Sequence, residues 1–478
     1  MTLKPFADDI KEASLPDKRL EVRLEKIIDA LKIKPDASFP HLFNTQAQYE
    51  GLHRFLNNSR FDYRELLEPH IEATAGRSQC VGQVAVIHDS TEFAWPLHNT
   101  RRRHLVSLSA RRQGFLAHNS LVIALEPGVH CPLGLSSMIP YVHLSDLPED
   151  ESDTELFWDN LGGLFDNESQ RWLNGFQRSY ERLGACQRQV HICDSEGDNY
   201  ELLSLMNSSD GADFVVRLGQ HQRLVLTAED KEPVQLCDVR SKALLMGMRE
   251  VALEPRPART KGHTRSHYRE GRQAKLEVRA MPLSLVKPSS WSSTRGPAKL
   301  GMWVVWATEV EPPAGEEPVE WVLATSEPVS NEAQANYILD LYELRWLIEE
   351  FHKSLKTGCG LKERQLESCE ALLKVIAATA PLAQDLLLLR HMAREQPQAP
   401  WQTVVTANQL AVLQATVEDI SWSEQPTVGQ VFEAIAHIGG HIRPAKPPGW
   451  LILGRGFKEM LILEQGFNAA LNVLQRDV

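Results

Sequence analysis

Apolar residues recur along this chain in two rhythms, one of period about 3.6 and one of period 2. Near the amino end, Leu20, Leu24, Ile27, Ile28 and Leu31 follow the opener Ser14-Leu-Pro-Asp17 at helical spacing. TQAQYEGLHRFLNN at 45–58 predicts a second helix that stops at its Asn pair. From about residue 80 short β-branched runs take over, VGQVAVIHD, SLVIALE, VHICD and ADFVVRL, and these predict strands. Between about 218 and 325 the segments KLEVRAMPLSLV, LGMWVVWATEV and EWVLATS alternate, which predicts a β-rich insertion. Residues 332–376 return to helix, and the remainder is helical apart from the Pro/Gly-rich GGHIRPAKPPGWLILGRG at 439–456. The reading is an α/β core over 71–375, with a helical domain before it (1–70) and another after it (376–478).

Length and composition agree with that division. A chain of 478 residues exceeds one ordinary core, and 42% hydrophobic with 24% charged residues is the balance of a globular protein. No apolar run reads as the roughly 18 residues that cross a bilayer, and the start MTLKPFADDIKEA lacks an apolar signal core, so a cytoplasmic protein is expected. Seven cysteines without a CxxC pair argue for reduced thiols and against a zinc site.

Charge changes the picture more. The net charge of −12 speaks weakly against a polyanionic partner, but it hides segregation. From Phe93 to Leu125 there is no acid, while Arg101, Arg102, Arg103, Arg111 and Arg112 all occur. From Arg256 to Lys275 there are seven Lys or Arg against Glu270 alone, in what reads as an exposed arm or hairpin. Asp146 to Asp159 carries seven acids and no base, and reads as a solvated loop. Two separated basic stretches in an acidic chain favour a localised anion-binding surface.

The most informative stretch is YELRWLIEEFHKSLKTGCG at 342–360. On one continuous helical wheel, Leu344, Leu347, Ile348, Phe351 and Leu355 share a face. Tyr342, Arg345, Glu349 and Lys356 fall together on the other, with His352 and Lys353 on the same side. Glu349 sits at the centre of the cationic stripe and Glu350 off it. The simpler account is a surface helix laced by Arg345–Glu349 and Glu349–Lys353 pairs. Two further carboxylates add weight to a chemical one. Asp89 closes VAVIHD and Asp194 closes VHICD, both at the carboxyl ends of apolar strands, where side chains can meet in one crevice. Either could instead cap a turn, since DST and DSEGD are good turn sequences. Three carboxylates drawn from two strands and a helix could hold two Mg²⁺ ions, which suits phosphodiester cleavage and transfer.

Tyr342, Arg345, Glu349 and Lys356 have the spacing Y-x2-R-x3-E-x6-K, which resembles the YREK signature of the insertion-sequence-four family of bacterial DDE transposases. VIHDST and ICDSEGD resemble the contexts of that family's two catalytic aspartates, which assigns those roles to Asp89 and Asp194 beside Glu349. WVLATSEP resembles the stretch whose tryptophan holds a flipped base, here Trp321, and FVVR places Arg217 near DNA. PDKRLEVRL and EGLHRFL resemble end-recognition helices, which puts forward Arg19, Arg23 and Arg54 as DNA contacts. The region from GGHI to the end resembles dimerisation helices more loosely.

The resemblance implies a ribonuclease-H-like core interrupted by the β insertion, and an enzyme that is Mg²⁺-dependent through two ions, with Mn²⁺ able to substitute. Its substrates would be the inverted-repeat ends of a transposon and a double-stranded target DNA, brought together by a homodimer. Both strands would be cut through a DNA hairpin and the 3′ ends joined to the target. An extruded base needs a stacking platform, the role implied for Trp321. Tyr342, Arg345, Lys353 and Lys356 would grip phosphates without reading sequence. A metal-dependent nuclease without strand transfer and an inactive DNA-binding relative are the alternatives.

Overall fold

The run VGQVAVIHD lies at the middle of the protein: in the computed structural model it forms most of strand β1 (Gln83–Pro96), with Val84 to Ile87 wholly buried. The structure describes residues 5–33, 42–43, 45–97, 101–126, 130–147, 152–253, 259–261, 264–266, 270–289, 296–361, 366–442 and 447–474. After β1 come β2 (Val106–Ser109), β3 (Arg112–Ala124), β4 (Pro132–His143), β5 (Leu164–Phe165), β6 (Arg188–Cys193) and β7 (Ala212–Arg217). The alternating stretch supplies β8 (Leu224–Leu226), β9 (Val234–Gln235), β10 (Leu244–Leu253), β11 (Arg259–Lys261), β12 (Thr264–Ser266), β13 (Arg272–Val286), β14 (Lys299–Glu309) and β15 (Glu320–Thr325).

Among the described residues, thirteen of these strands join one sheet. Its order is β5-β4-β3-β1-β6-β7-β15-β14-β13-β8-β9, with β2 on β3 and β10 on β13. β1 is antiparallel to β3 and parallel to β6, and β6 is parallel to β7. The strands between 218 and 325 do not stand apart. All of them except β11 and β12 lengthen the same sheet, because β15 runs antiparallel along β7, with Leu323 opposite Arg217. The fold is mixed α/β around one large mixed sheet. In the basic stretch, β11 and β12 pair as a hairpin with Arg259 opposite Ser266. The remainder of 256–275 includes residues outside the described ones.

Helices cover both faces of the sheet. Lys18–Ile33, Gln46–Leu56 and Tyr63–Val81 make the amino-terminal part, the last opened by an Asp62–Glu65 capping box. Leu24, Ile27, Ile28 and Leu31 are buried as their spacing predicts. Tyr63–Val81 runs through residue 70, and Cys369–Glu395 runs through residue 375. Hydropathy misleads at that second helix. It is long and apolar enough to cross a bilayer, contrary to the reading above, yet 94% of its most apolar window is buried inside the protein. It is the central core helix.

Two other expectations change. The acidic run is not all loop: Ser152–Asn160 is a helix that buries Thr154 and Trp158, one turn apart, and pairs Asp153 with Arg103 and His104. Strand β4 has no alternating pattern because both of its faces are covered, so periodicity could not reveal it.

Candidate active site

The parallel ladder between β1 and β6 ends at His88 opposite Cys193. The next residues are Asp89 and Asp194, so the two aspartates leave neighbouring strands at the same level. Asp89 does not close its strand, as the sequence suggested. β1 continues to Pro96, its backbone groups still paired with β3, and Asp89 stands opposite Asn119. Asp194 does end its strand. Its Oδ1 accepts from the Glu196 amide at 2.9 Å, capping the turn Ser195–Gly197. The turn-capping account is therefore correct for Asp194 and compatible with a second role.

The stretch 342–360 is not one helix. Glu332–Glu343 stops, Trp346–Lys353 begins after a tight step, and Ser354–Gly358 is a π turn. The step is made of three-residue bonds, Leu344 N to Leu341 O, Arg345 N to Tyr342 O and Leu347 N to Leu344 O. A wheel drawn continuously from Tyr342 thus loses its phase. Its apolar face survives, with Ile348, Phe351 and Leu355 buried. Its cationic face partly does not: Tyr342 (5% exposed) and His352 (6%) are buried.

The adjacent glutamates part company. Glu349 is half-buried and accepts from Arg345 Nη2 at 2.7 Å. Glu350 is buried, 3.1 Å from Lys353 Nζ and 3.2 Å from Arg390 Nε on the core helix. One surface-helix pair therefore forms, Arg345–Glu349, and the other does not, since Lys353 turns to Glu350.

Charge knits the three carboxylates together. Burial pushes the Asp89 carboxyl up to about 7, aided by the charges of Asp194 and Glu349 and opposed by Arg345. Burial also raises Asp194, with Arg345 and Arg217 pulling the other way. Arg345 is thus the cation shared by all three. Tyr342, raised mainly by burial, lies within reach of Arg217, Arg345 and Asp194. Its ring meets Trp321 edge-on, with centroids 5.6 Å apart. Trp321 itself is half-buried on β15. Arg217 ends β7 and donates to the Glu320 carbonyl at 3.3 Å. Lys356, in the π turn, reaches back to β1, its Nζ donating to Thr91 Oγ1 at 2.6 Å. Lys353 is exposed, with its ammonium 4.7 Å from the Trp346 ring centroid.

Arg19, Arg23 and Arg54 lie elsewhere, on helices Lys18–Ile33 and Gln46–Leu56. Arg19 is exposed and bonded to Asp17, Arg54 is exposed, and the Arg23 guanidinium packs over Gly51.

The structure gives His352 a partner and brings further side chains to the carboxylates. Asn119 Nδ2 and His352 Nε2 are 3.0 Å apart, and His352 Nδ1 is 3.9 Å from Asp89 Oδ2. On the opposite face of the sheet, His88 joins His191 at 2.9 Å and Ser120 at 3.0 Å. Burial drives all of these imidazoles to the neutral form. Trp346 is 48% exposed between Arg345 and Lys353. The sequence signal for His352 is its place on the same side of the helix as Glu349, three residues on.

The donor set of Asp89, Asp194 and Glu349 is all hard oxygen, and the Asp89 carboxyl is raised first by burial and then by its anionic neighbours. That is the electrostatic state a divalent cation relieves. In the observed rotamers Glu349 is committed to Arg345, and no three described His, Cys, Asp or Glu side chains are grouped closely enough to hold a metal ion. The residues fit a cation by the chemistry of their donor atoms.

Residues 82–378 match the family described as transposase DDE domain, and residues 6–61 match the one described as transposase DNA-binding.

Proposed function

The chain belongs to the DDE transposases, DNA-binding enzymes that depend on divalent metal, and from that premise we propose that it is a cut-and-paste enzyme of the insertion-sequence-four type. In this reading Asp89, Asp194 and Glu349 are the catalytic carboxylates and would hold two Mg²⁺ ions. The metals would supply an activated water or hydroxyl nucleophile and stabilise the leaving oxygen. Residues 1–70 bind the transposon end, 71–375 carry the chemistry with the β insertion at about 218–325, and within 376–478 the helices beyond the buried core helix form the contact between the two protomers of a paired-end complex.

One observation carries the proposal. The shared cation Arg345 and the buried Tyr342 join the carboxylates to Trp321. A simple nuclease needs no half-buried indole beside its carboxylates. An enzyme that extrudes a base to fold a DNA end into a hairpin does, because stacking offsets the lost pairing by about 1–3 kcal/mol. Arg345 in this reading has two duties: it holds Glu349 before DNA arrives and binds a phosphate afterwards. Arg217, Lys356 and Lys353 line the same neighbourhood as phosphate contacts. Arg19, Arg23 and Arg54 would serve the separate end-binding surface; Arg19 and Arg54 are exposed, and Arg23 packs over Gly51.

The test uses the purified chain, Mg²⁺ and duplexes ending in the inverted repeat that flanks its coding sequence. The expected products are hairpin-ended fragments and joined molecules, absent with a chelator and restored by Mg²⁺ or Mn²⁺. Open-ended double-strand breaks without joining would replace this proposal with a plain nuclease.

A further inference from the structure

The core helix Cys369–Glu395 sends two charged side chains in one direction. Lys374 and Asp385 are eleven residues apart, which places them on one face, within about 20° and about 16 Å along the axis. Lys374 is only 2% exposed, and its Nζ donates to the carbonyls of Leu56 (3.1 Å) and Asn58 (2.6 Å), just where helix Gln46–Leu56 ends. Its ammonium also lies 4.3 Å from the Phe61 ring centroid. Asp385 accepts the amides of Phe6 at 2.8 Å and Ala7 at 3.2 Å. These are the two ends of the matched DNA-binding segment, residues 6–61. A third fastening lies nearby, where Asp9 bonds His70 and Arg77 of helix Tyr63–Val81. The same core helix touches the candidate active site. The Ala383 carbonyl accepts from Ser354 Oγ in the π turn at 3.0 Å, and Arg390 pairs with Glu350.

We propose that Lys374 and Asp385 are positioning residues that fix the bearing of the DNA-binding module against the helix carrying Glu349. The core helix then works as a ruler. One side holds the module at its first and last turns, and the other holds the helix and π turn bearing Glu349 and Lys356. DNA gripped by the module is presented at one register, to whichever protomer of the paired-end complex cuts it. Burial under the docked module explains why Lys374 sits low, at about 8, and Asp385 high, at about 7. Neither group would be so shielded if the module swung free. Buried charge is a costly way to add stability, but a directional way to specify one arrangement.

This inference rests on the transposase reading, so the test separates the two. In the DNA-free full chain, hydrogen exchange should show protected amides at Phe6 and Ala7. Protection should be lost in Asp385→Ala while the central strands stay protected. Unprotected amides in the wild type overturn the clamp whatever the chemistry. With the inverted-repeat duplex as probe, Lys374→Met and Asp385→Asn should bind within about threefold of wild type, yet cut about 100-fold more slowly at saturating DNA, at scattered positions. Unchanged rate and cut position, or parallel loss of binding and cutting, would overturn it. A wild-type chain that shows the protected amides but makes no hairpins would sink the proposed function and leave the clamp standing. Should Lys374→Met fail to fold, Asp385→Asn and the exchange data decide the matter.

Discussion

Glu350 should be a structural residue whose removal costs stability but not chemistry. It is buried and held by Arg390 Nε at 3.2 Å, while Arg390 also stacks 4.6 Å from Trp450 and donates to the Pro448 carbonyl. Replacing Glu350 by Leu strands that guanidinium, which generally costs about 3–5 kcal/mol. The lower end applies here, because Arg390 keeps the carbonyl and the indole. The Lys353 contact lies nearer the surface and adds less than about 1 kcal/mol. Glu350→Leu should therefore lose about 3 kcal/mol, and the double variant Glu350→Leu with Arg390→Leu should recover most of it. Urea denaturation of the four members of the cycle, at unchanged m, measures the coupling. A Glu350→Leu midpoint equal to wild type, or a double variant no better than the single, would refute the reasoning.

Trp321→Ala should nick DNA ends faster than it converts them to hairpins, seen as accumulating nicked intermediate on denaturing gels. Equal loss of both steps would remove the flipped-base role. Asp385 predicts a pH dependence of stability. Its folded-state value, about 7, lies above the ordinary 3.8, so the folded chain keeps a proton that the unfolded chain releases. Its contribution is fully present below about 4 and declines as pH rises towards 7, and Asp385→Asn should flatten that part of the stability profile relative to wild type. Lys374 titrates in the opposite sense. With a folded value near 8 against 10.5, stability should rise with pH between about 8 and 10.5, and Lys374→Met should abolish the rise.

Much of the fold could be read from the chain because its strands are apolar runs with clear ends. VAVIHD, VHICD and FVVR each became a strand of the central sheet, and alternation over 275–286 and 300–310 marked β13 and β14. What could not be read were features set by tertiary contact. β4 is covered on both faces and has no period. The acidic run includes a helix whose buried residues are Thr154 and Trp158, a tertiary contact that a count of its charges does not show. Asp89 was placed at a strand end because the apolar run stops there, whereas the backbone pairing with β3 does not. The step at Leu344–Arg345 was invisible to a wheel that assumes a uniform 3.6 residues per turn, and so was the burial of Tyr342 and His352. That Glu349 and Glu350 face different surroundings does not depend on the phase of the wheel, because both residues lie after the step, within one regular helix.

That distinction is the most direct point of attack. Glu349→Gln and Glu350→Gln should be compared on the inverted-repeat duplex in Mg²⁺, with end binding measured alongside. The account predicts that Glu349→Gln binds ends like wild type and makes no cut, while Glu350→Gln still cuts. A Glu349→Gln enzyme that still cleaves, with Glu350→Gln inert, would contradict it.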